Sequence, residues 1–219
     1  MQEVDLTYGA PLFDVVPNLL TRLKSSLKLS SNSFDVKLTQ YIEQSIELIG
    51  RYTGRILVQC QVTGRFSKPI KRDCDSHYPS LYFAVSPVYR DGFVSLKWSD
   101  GVNADETLGG FIMPHHEQGY VYITSDPSII ANYGTFDTWL RQDPPPTELY
   151  PLLAVIKAGY GQDLSNVWQC PLALQQAIIS LSTYFYDNPS SCEACTAGTG
   201  SLPSSVLMMC DTYRIRRVF

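Results

Sequence analysis

The strongest structural signal in the sequence is the stretch of residues 170–188, which predicts one long buried helix. Pro171 suits a first helical turn, where its missing N–H would have no partner in any case. Four large apolar side chains then recur at spacings of four, three and four residues, as on one face of a helix. They are Leu174, Ile178, Leu181 and Phe185. Asn188-Pro189 ends the pattern, because proline disfavours helical geometry in the residue before it.

The remaining elements are predicted on both sides of a block of strands. A short helix follows Pro17, and a second helix over residues 34–52 ends at Gly54. Alternating apolar residues predict strands at 56–63, 81–85, 93–98, 119–124 and 152–157. Asp91-Gly92 predicts a tight turn. A loop of small residues over 190–202 leads to a last short helix from Pro203 to about Tyr213.

These elements predict an α+β fold, with a helical core and an inserted antiparallel β block. We expect a single domain in which helices 34–52 and 171–188 pack together and the strands project from one end. Its parts are an irregular N-terminal arm (1–16), the helical core (17–54 and 168–213), a β-rich insertion (55–163) with a long loop (125–150), and a C-terminal tail (214–219).

The composition favours a protein that contacts other proteins. Charged residues make up only 17% of the chain, against a typical quarter, and there are 14 tyrosines. The net charge of −4 does not indicate a generic nucleic-acid-binding surface. No stretch approaches the roughly 18 consecutive apolar residues of a membrane span.

The sequence contains no strong catalytic, cofactor or metal motif. Cys192-Glu193-Ala194-Cys195 supplies two ligands where a structural zinc site needs four, and adjacent His115-His116 would point to opposite faces of a strand. No phosphate-binding glycine loop, Gly-x-Ser-x-Gly or His-Glu-x-x-His is present. We therefore expect no enzyme and no cofactor. A small metal or redox protein that uses Cys192 and Cys195 remains the alternative from another class.

The chain ends in a basic and apolar tail. Its residues are Arg214, Ile215, Arg216, Arg217, Val218 and Phe219. The interpretation without a functional role is a frayed chain terminus. The functional interpretation is a segment that docks on another protein by strand addition or pocket insertion, with its arginines pairing partner carboxylates.

Several stretches, taken in order, resemble a family of tailed-phage head–tail connector proteins. In that family a proline-started helix with an alanine-isoleucine-leucine core ends in tyrosine-x-asparagine, and a variable loop and a short proline-started helix follow. The matching stretches here are Tyr52-Thr53-Gly54-Arg55, Val155-Ile156-Lys157-Ala158-Gly159-Tyr160-Gly161, Gln175-Gln176-Ala177-Ile178, Leu181-x-x-Tyr184-Phe185-Tyr186-Asp187-Asn188 and Leu202-Pro203 to Tyr213-Arg214. The order of elements agrees from about Val16 to Arg214. Loop 125–150 is longer than in the family, and the arm before Pro17 has no counterpart.

The resemblance implies an adaptor, a structural subunit without cofactor or catalysis. Twelve copies would form a ring beneath the portal protein, extend the DNA channel without binding DNA specifically, and offer a platform to a stopper, neck or tail protein. Helices 34–52 and 171–188 would form the core and part of the subunit contacts, and the C-terminal tail would reach the portal. The protein would then be located at the head–tail junction of the virion, after assembly in the host bacterial cytoplasm. Another neck component, such as a stopper or tail terminator, is the first alternative.

Overall fold

The computed structural model describes residues 4–66, 80–82, 85–98, 106–107, 111–115, 120–124, 152–196 and 201–215. The chain divides into two compact units, each built from two separate stretches. The strand unit comprises Met1–Leu12 and Gln59–Gly159, and the helical unit comprises Phe13–Val58 and Tyr160–Phe219. The predicted α+β class is confirmed. The predicted loop 125–150 lies outside the described residues.

The described part of the helical unit contains five helices. They are α1 (Val16–Leu27), α2 (Asp35–Thr53), α3 (Leu172–Asp187), α4 (Pro189–Thr196) and α5 (Ser204–Asp211). The sequence predicts α2 and α3 to within about one residue at each end, because their apolar stripes and end signals are local. Gly54 ends α2 in the left-handed conformation at φ 69°, which glycine adopts without strain.

The long helices α2 and α3 pack side by side and run antiparallel. The ring of Tyr41 lies 6.1 Å from that of Phe185, and the hydroxyl oxygens of Ser45 and Ser182 are 3.0 Å apart. A step forward along α2, from Tyr41 to Ser45, therefore matches a step backward along α3, from Phe185 to Ser182. This is the arrangement of antiparallel helices. The two serines are completely buried, and their small side chains allow the helices to approach closely.

Helices α1 and α5 pack on different parts of the α2–α3 pair. Each packs against both α2 and α3, whereas within the described residues α1 and α5 make no substantial contact with one another. Helix α1 lies alongside both partners, because its Lys24 contacts Asp35 at the start of α2 and its Arg22 contacts Gln175 near the start of α3. Helix α5 lies by the end of α2, where its Asp211 accepts the hydroxyl of Tyr52.

One expected loop is in part a helix. Residues Pro189–Thr196 of the predicted loop 190–202 form α4, so the sequence prediction is wrong there. The segment has no apolar stripe, but its Cys192 is buried and its helix packs against α2 and α3. Tertiary packing therefore stabilises a helix that local propensity does not predict.

The strand unit contains two antiparallel sheets in the described residues. The strands are β1 (Val4–Pro11), β2 (Cys60–Phe66), β3 (Ser80–Tyr82), β4 (Val88–Trp98), β5 (Glu106–Thr107), β6 (Phe111–His115), β7 (Tyr120–Thr124) and β8 (Leu152–Ala158). One sheet has the order β1-β2-β8-β4-β5, and the other has the order β3-β7-β6. Strands β7 and β8 lie where the sequence predicts them.

The middle of the larger sheet buries one face of paired strands. Val62 pairs with Ile156 and Cys60 with Ala158, and all four residues are buried. Between them, Gln61 is exposed and Lys157 is half-buried. This alternation is the period of two that a half-buried strand requires. The first strand was predicted at 56–63 but begins at Cys60, because Leu57 is instead buried in the helical unit.

The N-terminal arm is not irregular, which corrects the sequence prediction. Val4–Pro11 pairs antiparallel with β2, from Val4 opposite Phe66 to Tyr8 opposite Val62. The register shifts between Tyr8 and Pro11. At Gly9 a β-carbon would lie 3.2 Å from the carbonyl oxygen of Gln61. A strand this short depends on a partner more than fifty residues away, so local sequence gives little indication of it.

The turn predicted at Asp91-Gly92 is also wrong. Both residues lie inside one continuous strand, β4, which pairs with β8. Val88 is opposite Ala158 and Phe93 is opposite Ile156. Between these two pairs β4 has more residues than β8, so the register shifts. The additional residues form a bulge, and the conformational freedom of glycine suits a bulge as well as a turn.

Candidate functional site

The last described residues of the chain are bound to the C-terminal end of α2. The backbone N–H of Ile215 donates to the carbonyl oxygen of Thr53 at 2.9 Å, and the Arg55 Nε donates to the carbonyl oxygen of Tyr213 at 2.6 Å. A β-carbon added to Gly54 would lie 3.7 Å from the Ile215 Cβ. We call residues 213–215 the C-terminal anchor, because these contacts hold the chain end against α2.

Side chains reinforce this C-terminal anchor. The guanidinium carbon of Arg214 lies 4.8 Å from the centre of the Tyr52 ring, within the range of a cation–π contact. The Tyr52 hydroxyl donates to the Asp211 carboxylate, and this hydrogen bond raises the pKa of Tyr52. One tyrosine therefore connects the end of α5 to the start of the tail.

Only part of the predicted docking tail is described. Arg214 is exposed on its outer side, and Ile215 is half-buried. Arg216, Arg217, Val218 and Phe219 lie outside the described residues. The tail that could reach a partner therefore starts after Ile215, two residues later than the sequence suggests.

The four residues predicted as a core and subunit-packing stripe are all directed inward. Leu174, Ile178, Leu181 and Phe185 have no exposed surface. They cover the apolar side of α2 within the same chain. Side chains that are already covered within the chain leave no surface for contact with another copy.

Of the cysteine pair that suggested a metal or redox site, the structure describes the side chain of Cys192. Cys192 is buried in the helical unit, and its thiol donates to the Gln44 side-chain oxygen. Cys195 lies in α4, but its side chain is outside the described residues. Among the residues that the structure describes, no three His, Cys, Asp or Glu side chains are placed to hold a metal ion. The described helices also include none that is long and apolar enough to cross a membrane.

Sequence reasoning missed a groove of about 770 Å³ in the helical unit. It lies between the start of α1 and the segment that leads into α3. Its lining residues belong to the stretches 14–19 and 162–172, together with Gln175. The Asp163 carboxylate shapes this segment by accepting the backbone N–H groups of Ser165 and Val167, at 2.9 and 2.8 Å. Asn166 follows with a positive φ of 58°. The cluster Asp163-Leu164-Ser165-Asn166 was a turn signal that could have identified this loop.

The helical unit also exposes several large apolar side chains. Leu164 is fully exposed, Leu172 is 76% exposed and Val167 is 56% exposed, and the latter two line the groove. Elsewhere on the helical unit, Met208 of α5 is 77% exposed. Such residues are common singly on protein surfaces, but adjacent ones indicate contact with other proteins.

No protein-family model matches the sequence, and no curated protein matches it. Solved structures do resemble the fold. A chain in the neck of an empty gene transfer agent (GTA) particle, computed with C6 symmetry, has a TM-score of 0.61 and 15% identity, covering 98% of this chain and 97% of that one. A chain in the neck of the native GTA particle, computed with C12 symmetry, has a TM-score of 0.59 and 14% identity, with 97% of each chain covered. A chain in the virion of the native particle has a TM-score of 0.59 and 15% identity, covering 98% and 97%. The likeness establishes a shared fold over nearly the whole length of the chains.

Proposed function

We propose that this chain is a structural subunit of the neck of a phage-like particle, and specifically a head–tail adaptor that binds beneath the portal. The observation that carries the proposal is the fold likeness to GTA neck chains, which extends over 97–98% of both partners. A match over the whole chain includes the helical unit, the strands and the order in which they occur. The sequence resemblance to phage connector proteins supports the same role.

A ring of identical subunits follows from this role. The GTA neck structures were computed with C6 and C12 symmetry. We propose twelve copies, in agreement with the connector resemblance. The ring would extend the DNA channel and offer its far side to a stopper, neck or tail protein. A net charge of −4 suits a channel through which DNA passes without specific binding.

The portal contact is assigned to the tail. The C-terminal anchor fixes the chain at Ile215, so the residues after Ile215 are the ones that would reach a partner. Arg216 and Arg217 would pair with carboxylates of the portal, with Val218 and Phe219 inserted into an apolar pocket. The exposed side of Arg214 would join this contact.

A second candidate, another neck component such as a stopper or tail terminator, is favoured by the C6 symmetry of one matching neck structure. The redox alternative has less support, because Cys192 is buried and its thiol is engaged by Gln44. A structural role rather than catalysis therefore remains our proposal. The protein would be assembled in the host cytoplasm and would end in the virion.

The decisive experiment counts this chain against the portal protein in purified, DNA-filled particles by quantitative mass spectrometry. A ratio near one to one supports a ring matched to the portal. A ratio near one to two indicates a hexameric ring on the tail side, and hence the second candidate. Absence of the chain from particles would overturn the structural role.

A further inference from the structure

The outward face of α1 carries no charged side chain. Its exposed residues are Pro17, Asn18, Thr21, Ser25 and Ser26. The cations of this helix are engaged inside the unit, since Arg22 donates to the Gln175 side chain at 2.6 Å and Lys24 forms an ion pair with Asp35 at 2.8 Å. The helix thus turns its charges toward its own chain and leaves a neutral surface outward.

Two of the three hydroxyl groups on this face already have hydrogen-bond partners. Thr21 Oγ1 donates to the carbonyl oxygen of Pro17 at 3.0 Å, and Ser25 Oγ donates to that of Thr21 at 2.9 Å. Burial against another protein would therefore leave neither donor unsatisfied. A surface that depended on water would lose hydrogen bonds when covered, whereas this one loses none of these.

The neutral α1 surface continues into the groove, because Pro17 and Asn18 belong to both. The groove is lined by one charged side chain, Asp14, whose carboxylate accepts the backbone N–H of Val16 at 2.9 Å. Val167 and Leu172 are exposed along it. We call the outward side of α1 together with this groove the α1 face.

A second surface with little charge lies on α5. Residues Ser204–Cys210 carry no charge, and Met208 is exposed while Leu207 and Met209 are half-buried. The exposed Asp211 ends the helix, and its carboxylate accepts the Tyr52 hydroxyl. We call this surface the α5 face. Methionine is unbranched and flexible, so it fits irregular grooves well.

The exposed side of α2 is different, because it is charged throughout its length. Lys37, Glu43, Glu47 and Arg51 are all exposed there. Depletion of charge is the compositional mark of the centre of an interface. The exposed side of α2 is therefore suited to contact with water, whereas the α1 face and the α5 face are suited to contact with protein.

We propose that the α5 face of one copy packs into the α1 face of the next copy, head to tail. This inference rests on the proposed ring and specifies which surfaces close it. A cyclic assembly with more than two members needs two different, complementary surfaces on each subunit. The separate placement of α1 and α5 on the α2–α3 pair supplies two such surfaces. The Met208 side chain would enter the groove beside Val167 and Leu172.

The test uses two charge variants of the full chain, Met208→Glu and Leu172→Glu. Each places a carboxylate on an exposed position, and Leu172 is the first residue of α3, where a negative charge favours the helix. Val36→Glu is the matched control, because Val36 is also 77% exposed and belongs to neither face. Sedimentation velocity and native mass spectrometry measure self-association, and circular dichroism verifies the fold of each variant.

We expect the wild type and Val36→Glu to self-associate alike and each face variant alone to remain monomeric. The mixture of the two face variants is then expected to form a one-to-one dimer, because one intact α1 face and one intact α5 face are left to meet. Self-association of either variant like the wild type, or a mixture that stays monomeric, would overturn the head-to-tail assignment. A wild type that stays monomeric at every concentration would overturn it too. Particle counting tests the neck role separately, so the two failures are distinguishable.

Discussion

Replacement of Ser182 by alanine tests the account of how α2 and α3 are joined. The Ser182 hydroxyl oxygen lies 2.8 Å from the Ile178 carbonyl oxygen and 3.0 Å from Ser45 Oγ, and both serines are completely buried. Ser182→Ala removes the hydroxyl that links the helices and leaves the Ser45 hydroxyl buried without this partner. Ser45→Ala is milder, because Ser182 keeps the Ile178 carbonyl as an acceptor.

The magnitudes follow from this asymmetry. A typical hydrogen bond contributes about 1 kcal/mol, and a buried donor left without a partner costs a further 1 kcal/mol or more, roughly. We therefore expect Ser182→Ala to lower the free energy of unfolding by about 2 kcal/mol and Ser45→Ala by about 1 kcal/mol. The double variant should lose only about 1 kcal/mol, less than Ser182→Ala alone, because it loses the same hydrogen bond but leaves no orphan hydroxyl. Alanine has a higher helix propensity than serine, which changes the stability of each single variant. This contribution cancels when the double variant is compared with the sum of the two single variants.

The assay is urea unfolding of all four proteins, followed by far-ultraviolet circular dichroism. The described helices all belong to the helical unit, so this signal reports mainly on it. The slope of the free energy against urea should be the same in all four, since the exposed surface hardly changes. Additive losses would refute the inference that the two hydroxyls are bonded to one another. A Ser182→Ala variant as stable as the wild type would refute the importance of the contact.

Two further predictions concern a buried thiol and the tail. Burial raises the pKa of the Cys170 thiol from 9.0 to about 12, so between these values the unfolded chain loses a proton that the folded chain keeps. In this window the free energy of unfolding of the wild type should fall by about 1.4 kcal/mol per pH unit relative to that of Cys170→Ala. Plots of the free energy of unfolding against pH that run parallel for the two proteins would contradict the shifted pKa. Deletion of residues 216–219 should change the unfolding free energy by less than about 0.5 kcal/mol but abolish attachment to portal-containing heads, because the C-terminal anchor remains. Deletion of 214–219 should also lower the urea midpoint, and efficient attachment of either truncated protein would exclude the portal role of the tail.

The sequence predicts the two long helices well because the information is local. The apolar stripe of α3, its proline start and its asparagine-proline end lie within nineteen residues. Strand β8 and helix α5 are predicted for similar reasons. The resemblance to connector proteins rests on these same elements, which is why it is consistent with the fold likeness to the GTA neck chains.

What the sequence could not predict depends on partners distant in the chain. Strand β1 requires β2, and α4 requires the surfaces of α2 and α3. The groove combines residues 14–19 with residues 162–172, which no local pattern connects. The basic character of the tail was visible, but the packing of Arg214 on Tyr52 was not, because a tyrosine at a helix end gives no indication of what it will contact.

The division of the chain also determines when the subunit becomes complete during its synthesis. Helix α2 leaves the ribosome long before α3, since Ser45 and Ser182 are 137 residues apart. At a translation rate of about 5–20 residues per second, the apolar side of α2 stays uncovered by α3 for on the order of ten seconds. During that interval this apolar side is available to a chaperone. Helix α5 is made last of all the described helices. A nascent chain therefore lacks one of its two proposed ring surfaces until α5 has been made, which delays assembly until the helical unit can close.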